Sequence, residues 1–549
     1  MESRRRVGGL RSLPKKQIII TMAGVMLAMF LSSLDQTIVG VAMPRIVSDL
    51  GGFAHYTWVT TSYIITSAVV MPITGKLTDM YGRKAFYIAG IAIFIIGSLL
   101  CGFSNSMIQI ILYRGLQGIG AGVMMANAFT VIGDLFPPAQ RGKYQGFMSG
   151  IFAISSIIGP ILGGYLTDAV SWHWVFFVNI PLGIVIIILF ILYFPNMRPD
   201  SLKHKIDTAG LVTLVLAVVP AMLAFSWAGS EYAWDSLFIV SMLAFSAVML
   251  GLFIFIEKRA AEPIIPLWLF TNRVVAVSYA VVFLTAFGMF GGIVFIPLYF
   301  QAVKGATAAS SGSYMTPMML GLVAGSFVSG QLMSRLGGKY RILGGIGIAI
   351  MAVGLYLTAI MGYETTYNVA IMNIVIMGIG LGVTMPLYTI AVQNAVPYRI
   401  LGVATSSTAF IRSIGASVGL AIFGSVMSGR FISHFIGGIP EHMKGVVPMD
   451  LLGTIAHNPQ ALMSAEASAQ LLSAFENLGA QGADMYQQVL ELLRRSLESA
   501  LSQVFMLAFF ITLAALVVNF FIKEIPLKKE HIIEITQDNS GSENEGNKD

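Results

Sequence analysis

Charge is what this chain has least of. Only 11% of its 549 residues are charged, against 56% hydrophobic, where a water-soluble chain carries roughly a quarter charged residues. So few charges cannot cover a soluble particle of this size, which excludes a globular multidomain protein. Cysteine is nearly absent too. The single Cys101 rules out an internal disulfide and gives thiol chemistry nothing to build on. It lies in an apolar run and reads as a small buried hydrophobe. Nucleotide and metal signatures are missing: there is no G-x-x-x-x-G-K-[ST] and no His-Glu-x-x-His, and the seven His residues are scattered. An enzyme is therefore the last reading to consider, and neither a metal nor a cofactor is expected.

What the chain has is apolar runs of about 20 residues, the length that crosses a hydrocarbon core at 1.5 Å per residue, and a mean hydropathy of +0.78. The pattern is that of an all-α polytopic membrane protein. Spans are expected at 18–43, 56–76, 85–104, 107–132, 144–168, 173–194, 208–228, 236–256, 273–301, 309–334, 341–361, 367–394, 401–428 and 498–522, about fourteen in all. The basic start (Arg4, Arg5, Arg6, Arg11, Lys15, Lys16) leads into an apolar segment that reaches Pro44 and contains Asp35. A signal peptide has a shorter apolar core, so this segment reads as a retained first span.

Basic residues fall in the short gaps rather than on one face of a domain, so the net charge of +6 does not point to nucleic acid. With the amino terminus inside, the inner gaps and tails hold roughly 25 Lys and Arg and the outer gaps roughly 6. Both termini are thus expected in the cytoplasm of a cell, with the chain in its plasma or inner membrane. The one long gap, 429–497, is then external. Its second half, 460–499, has apolar residues at helical spacing and predicts one or two amphipathic helices, the last entering the final span. The tail 534–549 is polar and acidic, a disordered composition.

An internal repeat sets the architecture. Gly75-Lys-Leu-Thr-Asp79-Met-Tyr-Gly82-Arg83-Lys84 after the second span is echoed by Gly330-Gln-Leu-Met-Ser-Arg335-Leu-Gly337-Gly-Lys339 after the tenth. An echo eight spans later implies two six-span bundles with a helix pair inserted between them. The expected division is a basic amino terminus (1–17), a first bundle (18–195), an inserted pair with linkers (196–257), a second bundle with the long loop (258–523) and a polar tail (524–549). Parallel halves facing across a midplane cavity are a transporter plan.

Charged side chains inside spans each need a partner or a purpose. Asp35 is the one deep carboxylate, and Arg114 and Arg412 are the deep bases. By rise per residue Asp35 lies about 26 Å along an outward-running first span, and Arg114 about 10 Å below the outer surface on an inward-running fourth. Both fall in the outer half and can meet. They form either a proton-binding carboxyl tuned by a guanidinium or a static buried ion pair. Arg412 is either a substrate or anion contact or a packing charge on carbonyls. At the inner end, Asp79, Arg83 and Lys84 around a Gly75–Gly82 turn, with Asp134 within reach, could latch an inner gate; positive-inside topology alone explains the bases but not the two acids. In the fifth span, Gly146, Ser155, Gly159, Pro160, Gly163 and Gly164 let helices approach closely and break a backbone hydrogen bond, which suggests a bending point between the halves.

These stretches, in this order, resemble the major facilitator superfamily, and within it the fourteen-span drug:proton antiporter branch of EmrB/QacA type. The resemblance is carried by Leu34-Asp35-Gln-Thr37-Ile-Val39, Gly75 to Lys84, Arg114-Gly-Leu-Gln117-Gly118-Ile-Gly120, Gly159-Pro160-x-x-Gly163-Gly164, Trp172 to Pro181 and Pro297-Leu-Tyr299-Phe-Gln301. Ser155 stands where the antiporter motif usually has Gly. The resemblance implies a major facilitator-type fold and export of amphipathic compounds, neutral or monocationic, in exchange for protons. Asp35 and Arg114 would serve the coupling, Asp79, Arg83 and Asp134 the inner gate, and Gln117 and Arg412 a possible substrate contact. A specific metabolite, lipid or siderophore carrier on the same fold is the alternative. Oligomeric state is not legible in the sequence.

Overall fold

The computed structural model describes residues 14–50, 55–195, 206–229, 231–306, 308–440, 443, 471–473, 475 and 482–527. The expected disordered tail and most of the long loop lie outside these residues. Fourteen long helices are present among them: α1 (Lys15–Leu50), α2 (Tyr56–Tyr81), α3 (Arg83–Gly102), α4 (Met107–Leu135), α5 (Pro138–Ala169), α6 (Asn179–Tyr193), α7 (Thr208–Trp227), α8 (Leu237–Glu257), α9 (Arg273–Leu298), α10 (Ala308–Arg335), α11 (Tyr340–Ala359), α12 (Tyr367–Ala395), α13 (Leu401–Gly438) and α14 (Gly482–Asn519). Twelve of them are long and apolar enough to span a bilayer by composition alone. α2 and α10 fall short because Ser, Thr and Gly are spread along them, yet they occupy equivalent places in the two bundles, each packed on the fourth helix of its bundle. Helices are the economical answer in lipid, because each satisfies its own backbone groups.

The two bundles repeat one packing scheme. In the first, α4 packs on α2 and α3, and α1 packs on α5 and α6; in the second, α12 packs on α10 and α11, and α9 on α13 and α14. The close approaches recur at one register. Gly118 and Gly122 of α4 lie against the backbones of Tyr63 and Ser67 of α2, as Gly378 and Gly382 of α12 lie against Met318 and Leu322 of α10. An added Cβ would come within 2.1–2.5 Å of a backbone oxygen at these four positions, so glycine is required for the backbones to meet. The halves touch along two seams, α2 with α13 and α5 with α10. The inserted pair packs on itself, and α7 alone leans on α2 and α13. Leu237, Val248 and Phe255 on α8 are exposed, an apolar surface suited to lipid.

Hydrogen bonds at the helix ends fix which ends lie together. Gln17 donates to the carbonyl of Tyr193, Lys84 to that of Ile191 and Arg341 to that of Ile522. The start of α1 thus shares one face, here the Lys15 face, with the ends of α2, α6 and α14. At the opposite face α13 runs on to Gly438, and α14 begins at Gly482, well before its expected span. The expected amphipathic helix is this extension. Met485, Tyr486, Val489, Leu493 and Leu497 pack it against Phe431, Phe435 and Ile439.

Candidate functional site

Two polar clusters stand out, one inside the first bundle and one at the Lys15 face. In the first, Arg114 and Asp35 meet at 2.5 Å between Nη1 and Oδ2, and their side chains are 2% and 0% exposed. The depth estimate from sequence brings together the right pair. Asp35 also accepts at Oδ1 from the Gln117 amide (2.8 Å) and the Asn179 amide (2.9 Å). Arg114 donates to the Gln117 carbonyl oxygen at 2.7 Å, and its guanidinium lies 4.2 Å from the Tyr63 ring centre. Ser98 accepts from both amides, at 2.6 and 3.0 Å. α1, α2, α3, α4 and α6 therefore each contribute a side chain. Every side chain bonded to Asp35 donates to it.

Gln117, expected as a possible substrate contact, is fully buried and committed to Asp35 and Ser98. The cluster lies inside the first bundle, with every one of its side chains buried. Ser98, Asn179 and Tyr63 were not singled out from sequence, because neutral polar side chains in a span carry no charge to flag them. Asn179 does stand in the Trp172–Pro181 stretch that carried the resemblance.

At the Lys15 face, Gly82 turns the chain from α2 into α3 with φ 92°, a left-handed conformation that favours glycine. The turn sets Arg83 between two carboxylates. Its Nη2 donates to Asp79 at 2.8 Å, and its Nε and Nη2 both reach Asp134. Asp79 in turn accepts the backbone N–H groups of Gly402 (3.0 Å) and Val403 (2.8 Å) across the seam between the halves. α13 is preceded by Ile400, which has no side-chain acceptor, so its first N–H groups would otherwise lack a cap. An aspartate from the opposite half caps this helix in trans, where the helix dipole also favours negative charge. Gly75 sits on the same seam, where a Cβ would lie 1.9 Å from Ser406 Oγ. Lys84 is not part of the cluster. It points to α6 and donates to the Ile191 carbonyl at 2.9 Å.

Glu262, in the linker after the inserted pair, also had no place in the sequence reading. It pairs with Lys76 on α2 at 2.5 Å and with Arg399 before α13 at 3.1 Å, joining the two halves over the same seam. Arg141 at the start of α5 is buried and donates to the carbonyls of Phe136 and Gly133 and, across the halves, to Gln393 Oε1 at 3.2 Å.

The fifth-span motif divides in two. Gly146 faces the opposite half, its Cβ position 3.1 Å from Phe327 Cα. Gly159 and Gly163 instead press on Thr37 and Ile38 of α1, and Thr37 donates to the Ser155 carbonyl at 3.2 Å. Pro160 lies within a continuous helix, so the Gly-Pro step adjoins α1 of its own bundle rather than the interface of the halves. The reason is register: residues 13 and 17 after Gly146 lie on another face of a 3.6-residue helix. Gly164 has open space at its Cβ.

Arg412 lies on α13, half-buried, in a pocket lined also by Val282, Thr285, Met289, Leu381 and Met385. Its one hydrogen bond among the described residues goes to the Met385 carbonyl at 3.5 Å. An unpaired cation at such depth costs roughly 2.5–3.5 kcal/mol on insertion scales. No group of three or more His, Cys, Asp or Glu suited to a metal occurs among the described residues.

Comparison with known proteins gives a consistent answer. A sequence model of the Major Facilitator Superfamily matches residues 25–420. Among relatives, the multidrug transporter protein MdtP of Bacillus subtilis (strain 168) is 38% identical over 527 residues, covering 94% of each chain. Multidrug resistance protein 3 of the same organism is 38% identical over 454 residues, covering 83% of this chain and 88% of that one. Among solved structures, the human organic anion transporter MFSD10 superposes with TM-score 0.57 at 12% identity, over 91% of this chain and 100% of that one. The proton:xylose symporter XylE gives 0.54 at 13% identity, over 95% and 99%. With two six-helix bundles, an inserted pair and these relatives, the chain is a multi-pass membrane protein that belongs to the Major Facilitator Superfamily, a family of small-molecule transporters.

Proposed function

We propose that the protein exports amphipathic compounds across the cell membrane in exchange for protons, by alternating access between its two bundles. Drug export is supported by the relatives named as multidrug transporters, which match this chain nearly end to end. The observation that carries proton coupling is Asp35, a carboxylate in the membrane interior held by Arg114, Gln117 and Asn179. Protonation removes its charge, and its Oδ atoms then release at least one of the three donors. Arg114 and Gln117 sit on α4, whose other end carries Asp134, the partner of Arg83. A shift of α4 would thus act on the trans-cap that Asp79 provides for α13.

In this reading the Lys15 face is cytoplasmic, as the distribution of Lys and Arg implies, and the closed seam there belongs to the outward-facing state. Asp79, Arg83 and Asp134 form the inner gate, with Gly75 and Gly82 permitting its geometry and Glu262 reinforcing it. One proton entering supplies roughly 2.3 kcal/mol per 100 mV. For a neutral substrate exchanged one-to-one, that supports about a 50-fold gradient per 100 mV.

Dye efflux from cells tests the proposal, comparing wild type with Asp35→Asn, each with and without a protonophore. Both the substitution and the protonophore should abolish efflux while the protein still reaches the membrane. Normal pumping by Asp35→Asn would refute the assignment of coupling to this residue.

A further inference from the structure

We infer that the pocket between α9, α12 and α13 is a receptor for the anionic group of an amphipathic carboxylate, with Arg412 as its binding residue. The inference rests on the export reading and names a substrate class for it. Besides Arg412, three arginines are buried among the helices, and each is engaged by other groups. Arg83 has Asp79 and Asp134. Arg114 has Asp35, Gln117 and the Tyr63 ring. Arg141 donates to three carbonyl-type oxygens, at 2.7, 2.9 and 3.2 Å. Arg412 has one bond, at the 3.5 Å limit of a hydrogen bond, and no carboxylate pairs with it among the described residues. A guanidinium carries five N–H donors in a planar fork that matches a carboxylate, so most of its capacity faces the pocket unused.

The rest of the lining sets what surrounds the charged group. The pocket is small and takes the carboxylate itself, with the apolar body of the ligand beyond it. Met289, Leu381 and Met385 give it an apolar, adaptable wall. Thr285 and Thr384 are the other polar groups, but their hydroxyls donate to the Val281 and Leu381 carbonyls of their own helices, at 2.8 and 2.9 Å. Arg412 is thus the one side chain of the lining with donors to spare. The deep acid, Asp35, is sealed in the opposite bundle against Arg114 and offers nothing to balance a bound cation. A monocation, part of the substrate range expected from sequence, is the ligand this pocket suits least. An uncharged or anionic amphipath suits it best.

Equilibrium binding to the full-length protein in nanodiscs of zwitterionic lipid tests this without requiring transport. Three probes of one shape serve: naphthylacetate, naphthylacetamide and naphthylmethyl-trimethylammonium. Wild type should bind the carboxylate about tenfold tighter than the amide, with the cation weakest. Arg412→Gln should erase the carboxylate preference while leaving amide affinity within about twofold, which also shows the pocket intact; Arg412→Lys should retain part of the preference. An unchanged preference in Arg412→Gln, or a wild type that binds the cation more tightly than the carboxylate, would overturn the assignment. So would loss of the preference on adding anionic lipid, which would give the site to a headgroup. If the carboxylate binds through Arg412 but reconstituted vesicles do not move it, the site stands and the export reading fails.

Discussion

The two seams that join the bundles at the Lys15 face are related by the internal repeat, yet they are built from different chemistry. Along α5 and α10, Gly142 and Gly330 bring bare backbone together; a Cβ on either would lie 2.2–2.5 Å from the other's carbonyl oxygen. Along α2 and α13, Gly75 allows a similar approach, but Asp79 then caps α13 and Arg83 locks Asp79 to Asp134. At the position of Asp79 the second copy has Ser334, and at that of Arg83 it has Gly338. One seam closes by shape and the other by charge. Shape cannot be modulated by a proton, whereas a charge network can, so in the proposed mechanism one seam is a passive contact and the other a latch.

Substitutions can break this comparison, beginning with the passive seam. Gly142→Leu should have the largest effect, because backbone faces backbone and nothing there can move aside. We expect the Lys15 face to stay open and efflux to fall well over tenfold, with spin labels on the ends of α5 and α10 reporting longer distances. Asp79→Asn should come next. It keeps the shape of the cap but removes the charge, and hydrogen bonds to a charged group are worth about 1.5–3 kcal/mol, so the closed population should drop about tenfold or more. Cysteine accessibility at the Lys15 face, in a Cys101→Ser background, measures it. Glu262→Gln should be mildest. Of its two partners, Arg399 is largely exposed, and exposed pairs contribute about 0–1 kcal/mol; Lys76 is mostly buried but can still donate to the Gln amide oxygen, so a twofold to threefold increase in the same accessibility is expected. If Glu262→Gln exceeded Asp79→Asn, the linker rather than the trans-cap would be the principal latch.

Much of this arrangement was legible in the sequence, and what was not has a physical reason. The count of spans and the repeat follow from apolar run length and from the Gly75 and Gly330 stretches. Asp35 and Arg114 could be paired because a charge in lipid is scarce and its depth follows from helical rise. The trans-cap could not be read, since its donors are the backbone N–H groups of Gly402 and Val403, which residue type does not reveal. The one clue was Ile400, which cannot cap the helix it precedes. Glu262 escaped notice as an acid among basic gap residues, where topology accounts for the bases and leaves the acid unassigned. The facing of Gly159 and Gly163 depended on helix register over four turns, where a small error in phase exchanges one neighbour for another.

Proton movement in proteoliposomes, read with a pH-sensitive dye sealed in the lumen, tests the central claim most directly. Imposing a gradient of an exported substrate across wild-type vesicles should drive protons in the opposite direction. Asp35→Asn, at equal protein content, should move the substrate down its gradient with no accompanying pH change. Substrate-driven proton movement of wild-type size in Asp35→Asn would contradict the account.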